Sequence, residues 1–268
     1  MDFWEHLAAL RKVILRAGFI VIILTIGYFV AMPWIFDRII IAPCKDDFIL
    51  YSLLNKLNEV WSGLSPLNTI NGDFNIKLIN IRLSSQFFIH ISASFWLAVI
   101  TAFPIIIFLL WSFVAPGLYP NETRGVKQAF LLGNIMFFIG IAVGYFLVFP
   151  LTLRFLAGYQ LSSFIENELS LDSYMDNFMV LILTMGIIFE LPLLAWLLGR
   201  FGVIDRTLFR RFRRHAIVVL LILAAVITPT GDPFTLMVVF IPIYCLWEFS
   251  SWLVPQLHSK QVQGSLQS

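Results

Sequence analysis

Six long apolar runs constrain this sequence more than any other feature. They cover residues at about 13–35, 87–111, 129–150, 177–198, 216–230 and 235–254, with polar or charged connections between them. A helix of about 20 residues crosses the roughly 30 Å hydrocarbon core of a bilayer, and backbone polar groups in lipid must find hydrogen bonds within their own segment. The runs predict an all-α integral membrane protein with six transmembrane helices, in a single polytopic membrane domain over residues 1–268.

Composition and charge agree with this prediction, since 59% of the residues are hydrophobic and only 13% are charged. That leaves too little polar surface to cover a soluble globule. The formal net charge of +2 predicts no nucleic-acid partner. Most of the 18 Lys and Arg residues fall in connections that would face the cytoplasm if both termini did. The positive-inside rule therefore predicts an N-in, C-in orientation.

The fifth run is too short for an ordinary bilayer. Its uninterrupted apolar part, Ala216 to Ile227, would rise only about 18 Å as an α-helix. The Thr-Pro-Thr-Gly-Asp-Pro stretch at 228–233 then turns the chain into the sixth run. We expect a short hairpin of spans 5 and 6, around which the bilayer thins or a neighbouring protein covers the turn. An ordinary hairpin with snorkelling flanks is an equal alternative.

Two amphipathic stretches lie outside the spans. In the first outer loop, apolar residues recur at helical spacing between residues 50 and 64, which predicts an amphipathic helix on the bundle or the lipid surface. At the N-terminus, the apolar stripe that starts at Phe3 and Trp4 predicts a short cytoplasmic amphipathic helix over residues 1–12. That helix would lead into the first span.

Two acids are candidate functional groups. Glu190 lies inside the fourth run, where an ionised carboxylate costs about 2.5–3.5 kcal/mol at a helix centre, so it must be hydrated, paired or protonated. We interpret it as an intramembrane polar site, with a hydrogen bond across the bundle as the structural alternative. Glu122 lies in a connection with aromatic and turn residues, where a carboxylate suits bidentate capture of a guanidinium. A solvated loop acid is the commoner case.

Motifs for enzymatic chemistry are absent from the sequence. There is no motif for nucleotide, zinc-dependent or serine hydrolysis, and Cys44 and Cys245 lack metal-ligand spacing. The sequence therefore predicts no catalytic residue, no metal and no cofactor, and any energy source is external. The basic run from Arg210 to Arg214 predicts a topology anchor that touches anionic lipid headgroups.

Five short segments are specific when they are taken together, in their order on the six spans. They are His6-Leu-Ala-Ala-Leu-Arg11 before the first span, Trp111-Ser-Phe-Val-Ala-Pro-Gly-Leu-Tyr-Pro-Asn-Glu122, Ser173-Tyr174 followed by Phe189-Glu190-Leu-Pro192, Thr228-Pro229 with Asp232, and Ile241-Pro-Ile-Tyr-Cys-Leu-Trp-Glu248. In these segments the chain resembles the TatC family, the polytopic core subunit of the twin-arginine protein translocase. The likeness extends over about the whole chain.

This resemblance implies a receptor for folded cargo with twin-arginine signal peptides, in the bacterial cytoplasmic membrane and powered by the protonmotive force. The implied partners are TatA- and TatB-type single-span subunits, other copies of the chain and membrane lipids. Glu122 would recognise the twin-arginine motif, and Glu190 would lie on a concave, water-exposed face of the bundle. The implied signal-peptide-binding residues are Glu122, Phe113, Pro116, Leu118, Tyr119, Arg124, Glu5, His6, Leu10 and Arg11.

One position departs from the family pattern His-Leu-x-Glu-Leu-Arg, because Ala9 stands where the glutamate would be. Glu5 lies four residues earlier, about one turn away on the same helix face, and we hypothesise that it substitutes for that glutamate. The alternative is that Glu5 only sits favourably near the helix start and Glu122 acts alone.

A proton-coupled secondary transporter is the alternative function, with Glu190 as a proton or substrate site at mid-membrane. Transporters of that kind usually show inverted repeats and broken helices. No pair of matching halves is visible in this sequence, which favours the translocase.

Overall fold

The computed structural model describes residues 3–60, 76–114, 123–159, 161–162, 167–200, 202–228 and 230–254. Its elements, in chain order, are α1 (Phe3–Ile35), α2 (Ile49–Val60), β1 (Leu78–Ile79), α3 (Ser85–Val114), α4 (Thr123–Val143), α5 (Phe149–Gly158), β2 (Leu169–Ser170), α6 (Leu171–Ile188), α7 (Leu191–Arg200), α8 (Arg206–Ile227) and α9 (Pro233–Leu253). A π-helical turn at Phe36–Ile40 follows α1, and a second one at Gly144–Val148 joins α4 to α5. The predicted helical character of the chain is confirmed.

Five helical segments of the described residues are long and apolar enough to cross a membrane. They are Leu7–Leu54, Ser85–Leu110, Leu131–Gly158, Leu171–Arg200 and Pro233–Leu253. The first, second, third, fourth and sixth predicted runs overlap them. α8, which contains the apolar part of the fifth run, is not among them, because its first turns carry the arginines from Arg206 to Arg214. Only the short apolar part then remains.

The bundle is centred on α6. Its Tyr174, Leu181 and Met185 side chains are almost fully buried. α1 packs along α3, α4 packs against α6, and α9 contacts both α7 and α8. Large apolar side chains such as Phe19 and Val30 are exposed on the outside of the bundle, as expected for a surface that faces lipid.

Tyrosine hydroxyl groups hold the chain where the first long helix ends. Tyr145 donates a hydrogen bond to the Ile39 carbonyl oxygen at 2.8 Å, and Tyr174 donates one to the carbonyl oxygen of Ile40. The last carbonyl groups of a helix have no partner within it, so they need donors from elsewhere. These two hydroxyl groups therefore fix the π-helical turn that follows α1 against α6 and against the π-helical turn before α5.

The segment between α1 and α3 contributes a helix and half of a small strand pair. α2 covers most of the predicted amphipathic stretch, with Tyr51 buried and Leu53 exposed, while residues 61–64 lie outside the described part of the chain. β1 and β2 form a parallel pair. Nearby, the Ser85 hydroxyl donates to Oδ2 of Asp172 at 2.7 Å. The predicted N-terminal helix is continuous with the first span, because α1 runs without a break from Phe3.

The hairpin of α8 and α9 is closed by a capped turn. Asp232 is the N-cap of α9: its Oδ1 accepts a hydrogen bond from the Thr235 amide at 2.7 Å, and its Oδ2 accepts one from the Thr230 hydroxyl at 2.6 Å. Gly231 has φ +61°, a left-handed conformation that favours glycine. Pro233 begins α9, where the missing amide hydrogen costs nothing.

Candidate functional site

Glu190 lies at an interruption of the helix in the fourth apolar run. α6 ends at Ile188 and α7 begins at Leu191. Phe189 and Glu190 form the turn between them. Pro192 explains the interruption, because it has no N–H for the carbonyl four residues back and its ring clashes with that carbonyl. The carboxyl group of Glu190 therefore lies at a turn inside Leu171–Arg200, a segment long enough to cross a membrane.

A row of glycines brings α4 and the π-helical turn after it close to α6. A β-carbon at Gly140 would lie 2.5 Å from the Met185 carbonyl oxygen, and one at Gly144 would lie 2.9 Å from Cα of Ile182. These neighbours are backbone atoms, so no side chain fits at either position. Gly186 is the small residue on the α6 side of the same contact. Such glycines are typical of helices that approach closely in a membrane.

Gly133, two turns earlier on α4, faces Glu190 itself. A β-carbon at this position would lie 2.9 Å from Oε2 of Glu190 and 2.5 Å from Cδ2 of Leu193. The carboxyl group therefore occupies space that any other residue at position 133 would fill. Oε1 of Glu190 is buried and has no hydrogen-bond partner among the residues that the structure describes.

A carboxyl group in these surroundings can hold a proton, accept a hydrogen bond or bind a cationic group. Ionisation without a partner is costly in apolar surroundings. A proton that neutralises the carboxyl group would lower this cost, and so would a water molecule or a polar group of a bound molecule that donates a hydrogen bond to Oε1. Within the described ranges, no group of three His, Cys, Asp or Glu side chains is placed to hold a metal ion.

The pairing of α1 with α3 brings part of the predicted signal-peptide site to one end of the bundle. His90 stacks on Phe29 with ring centroids 4.0 Å apart, and its Nε2 lies 2.8 Å from the Phe29 carbonyl oxygen. Residues after Phe29 and residues before His90 line one cavity, so the two helices are antiparallel. Glu5 precedes Phe29 by about 24 residues and Phe113 follows His90 by about 23, roughly 35 Å of helix in each case. Glu5 and Phe113 therefore lie at the same end.

The other predicted binding residues divide between the described and the undescribed parts of the chain. Glu5 and Arg11 are exposed on α1, while Leu10 is half-buried there. Phe113 is half-buried in the last turn of α3, and the backbone of Arg124 belongs to the first turn of α4. Pro116, Leu118, Tyr119 and Glu122 lie outside the described residues, as do the side chains of His6 and Arg124.

Glu248, the second acid within the apolar runs, is paired. Its Oε1 accepts hydrogen bonds from Nε of Arg213 at 2.6 Å and from the Tyr244 hydroxyl at 2.9 Å. The pair connects α8 to α9 at the end of the hairpin opposite the turn. Glu248 therefore has a structural role as a link between the two helices. Among the described residues, Oε1 of Glu190 is buried and lacks a hydrogen-bond partner.

Glu190 was predicted from the sequence as a candidate site, but Gly133, the residue next to which its carboxyl group lies, was not. The available signal was the spacing of Gly133, Gly140 and Gly144, which puts three small residues on one face of the third span. That spacing predicts a close helix contact. It does not tell which helix is the neighbour, so the link to Glu190 needed the structure.

Comparison with known proteins identifies the family. Residues 5–242 match the family model described as Sec-independent protein translocase protein (TatC). The Sec-independent protein translocase protein TatC of Blattabacterium sp. subsp. Periplaneta americana is 34% identical over 253 residues, which cover 94% of each chain. The protein of the same name from Deinococcus radiodurans is 36% identical over 173 residues, 65% of this chain and 64% of that protein.

Two crystal structures of the twin-arginine translocase receptor TatC have the same fold, and both are 27% identical in sequence. One gives a TM-score of 0.69 and covers 92% of this chain and 97% of the solved chain. The other, in DDM, gives 0.73 and covers 93% and 99%. The chain therefore belongs to the TatC family of Sec-independent protein translocase proteins, which are membrane subunits for protein transport and not enzymes.

Proposed function

We propose that this chain is the receptor subunit of a twin-arginine protein translocase in the bacterial cytoplasmic membrane. It binds the twin-arginine signal peptides of folded proteins, assembles with TatA- and TatB-type subunits and with other copies of itself, and uses the protonmotive force. The likeness to solved receptors over more than nine-tenths of the chain supports this. The observation that carries the proposal is Glu190, whose carboxyl group has a buried oxygen without a protein partner in the described part of the chain.

The proposed topology has six spans with both termini in the cytoplasm. We infer that α8 is the fifth crossing, because it packs beside α9, which is long and apolar enough to cross a membrane. The apolar part of α8 is short, so the bilayer around this hairpin is thin or a partner covers the turn. A thin region beside the acid at position 190 would lower the cost of moving polar protein surface across the membrane.

Signal-peptide capture is proposed for the end of the bundle where α1 begins and α3 ends. Glu122 binds the twin-arginine motif, and Glu5 supplies the second carboxylate in place of the family glutamate that is absent at Ala9. The antiparallel packing of α1 and α3 supports this placement, because it brings Glu5 and Phe113 to the same end. A second carboxylate there would let each arginine of the motif have its own acid.

Retention of a twin-arginine signal peptide by the purified chain tests this function. Lysine cannot form the bidentate fork with a carboxylate, so the twin-lysine version of the peptide should be largely lost. Glu122→Gln should weaken retention by about tenfold to a hundredfold, the range expected when one hydrogen-bonded charged contact is removed. Equal retention of both peptides would argue for another function.

The contribution of Glu5 is separated by cross-linking the same peptide to Glu5→Ala and Glu122→Ala variants. If Glu5 replaces the missing family glutamate, both variants should capture less peptide than the unmodified chain. Unchanged capture by the Glu5 variant would leave Glu122 as the single acid of the site. Asp46→Ala, a change of the same charge in the first outer loop, is the matched control.

The second candidate function is a proton-coupled secondary transporter, and the helix interruption at Phe189 and Glu190 is the observation that favours it, because broken helices line transporter sites. Pro192 is sufficient to explain this interruption. Proteoliposomes that contain only this chain discriminate the two functions. A transporter would move protons together with a small solute, whereas a receptor subunit without its partners would not.

A further inference from the structure

A cavity of about 450 Å³ lies between α8 and α9, at the end of the hairpin opposite the turn. Arg206, Arg210 and Arg213 of α8 line one side of it, and Trp247 and Trp252 of α9 line the other. The cavity thus combines guanidinium groups with large aromatic surfaces. That combination is suited to a ligand with an anionic head and an apolar body.

Two of the three arginines have no acidic partner among the residues that the structure describes. Glu248 forms a salt bridge with Arg213 at 2.6 Å and so balances one positive charge. In the described part of the chain, no carboxylate makes a salt bridge with Arg206 or Arg210. Nε of Arg206 is also buried without a hydrogen-bond acceptor among those residues. A buried donor without an acceptor is unfavourable, so an anion that enters the cavity and accepts its hydrogen bond would be stabilised.

The position of the cavity along the hairpin identifies the kind of anion. α8 becomes continuously apolar from Ala216, less than one turn after Arg213. Trp252 is 78% exposed at the same level of α9. Tryptophan side chains collect at the headgroup level of a bilayer, and arginines just outside an apolar segment attract anionic lipids. The cavity therefore lies where phospholipid headgroups meet the protein.

We propose that this cavity binds the phosphate group of an anionic phospholipid, with Arg206 and Arg210 as its hydrogen-bond donors. Each guanidinium group can donate a pair of hydrogen bonds to phosphate oxygens. Trp252 then covers the glycerol and upper acyl chain. Free inorganic phosphate offers the same oxygens but has no apolar part to contact the tryptophan.

Native mass spectrometry of the full-length protein in detergent tests this site, with phosphatidylglycerol added in increasing amounts. The double variant Arg206→Gln/Arg210→Gln should retain the lipid at least about tenfold less well, since charge-assisted hydrogen bonds contribute about 1.5–3 kcal/mol each. Its matched control is Arg211→Gln/Arg214→Gln, which removes the same charge from the same helix outside the cavity. The control should retain the lipid like the unmodified chain.

Three further measurements identify the ligand and show whether a loss of binding results from misfolding of the double variant. Arg210→Gln alone, at an exposed position, should give a smaller loss in the same direction. Phosphatidylcholine, in which the choline cation balances the phosphate charge, should bind more weakly than phosphatidylglycerol. Millimolar inorganic phosphate should not displace phosphatidylglycerol. Equal lipid retention by the cavity and control variants would overturn the proposal. Displacement by inorganic phosphate would replace it with a simple anion site.

Discussion

The carboxyl group of Glu190 lies over the bare backbone of Gly133. A β-carbon on Gly133 would stand 2.9 Å from Oε2 of that acid, closer than such atoms approach in proteins. The atoms in the way are the ends of two flexible side chains, Glu190 and Leu193, and not backbone. Gly133 therefore determines where the carboxyl group is held, while the packing of the two helices depends on other glycines.

Gly133→Ala should move the carboxyl group without unfolding the protein. The Glu190 and Leu193 side chains can rotate away from the new methyl group, so we expect little change in Tm in detergent. Export of a twin-arginine reporter should fall several-fold, because the acid is no longer held in place. The control is Gly27→Ala on α1, where no atom lies within 4 Å of the added carbon. Normal export by Gly133→Ala would show that the position of the acid is not critical.

Gly140→Ala should instead destabilise the bundle. Its β-carbon would lie 2.5 Å from the Met185 carbonyl oxygen and 2.9 Å from Cα of Gly186, and neither backbone atom can move without shifting a helix. Overpacking of this kind costs about 1–3 kcal/mol. We expect a lower Tm and less folded protein in the membrane than for Gly27→Ala. An unchanged Tm would mean that α4 and α6 can separate without cost.

Tyr174→Phe should weaken the contact between α6 and the π-helical turn that follows α1. The hydroxyl is almost fully buried and is the donor to the Ile40 carbonyl oxygen, so its removal leaves a buried acceptor unsatisfied at a cost of about 1–3 kcal/mol. Thermal unfolding in detergent measures the loss. Tyr159→Phe, at a position that is 64% exposed, is the control and should unfold like the unmodified chain. Equal Tm values for the two variants would contradict this role.

Much of the helix plan could be predicted from the sequence, because hydropathy and length constrain a chain in lipid more than in water. The apolar runs predicted helical segments, and five of the six overlap segments of the described residues that are long and apolar enough to cross a membrane. The shortness of the fifth run follows from its apolar part, Ala216 to Ile227, and from the turn after it. These predictions depend only on residues that are close together in the sequence, so the order of residue types is sufficient to make them.

Contacts between distant segments could not be predicted. Nothing near Tyr145 or Tyr174 indicates that their hydroxyl groups satisfy carbonyl groups more than 100 residues away. The parallel pairing of Leu78 with Leu169 is equally remote, and two residues are too few for a strand pattern. The Gly133 contact with Glu190 belongs to the same class, since it depends on the packing of α4 against α6 and α7.

Asp232→Ala should destabilise the hairpin through the lost N-cap of α9, by about 0.5–2 kcal/mol at neutral pH.

Partial burial acts to raise the pKa of Asp232, but hydrogen bonds from Thr230 and Thr235 outweigh it and lower the pKa below its ordinary value. The cap therefore contributes fully above the ordinary aspartate pKa of about 3.9, and its contribution is lost as pH falls through the lowered folded value. The difference in Tm between the unmodified chain and the variant should narrow over that acidic range. Asp232→Asn keeps an acceptor oxygen and should lose less stability than Asp232→Ala. Because neither variant titrates at position 232, the difference in Tm between Asp232→Asn and the unmodified chain should change over the same acidic range. A difference in Tm that stays constant down to the lowest pH would rule out the ionised cap.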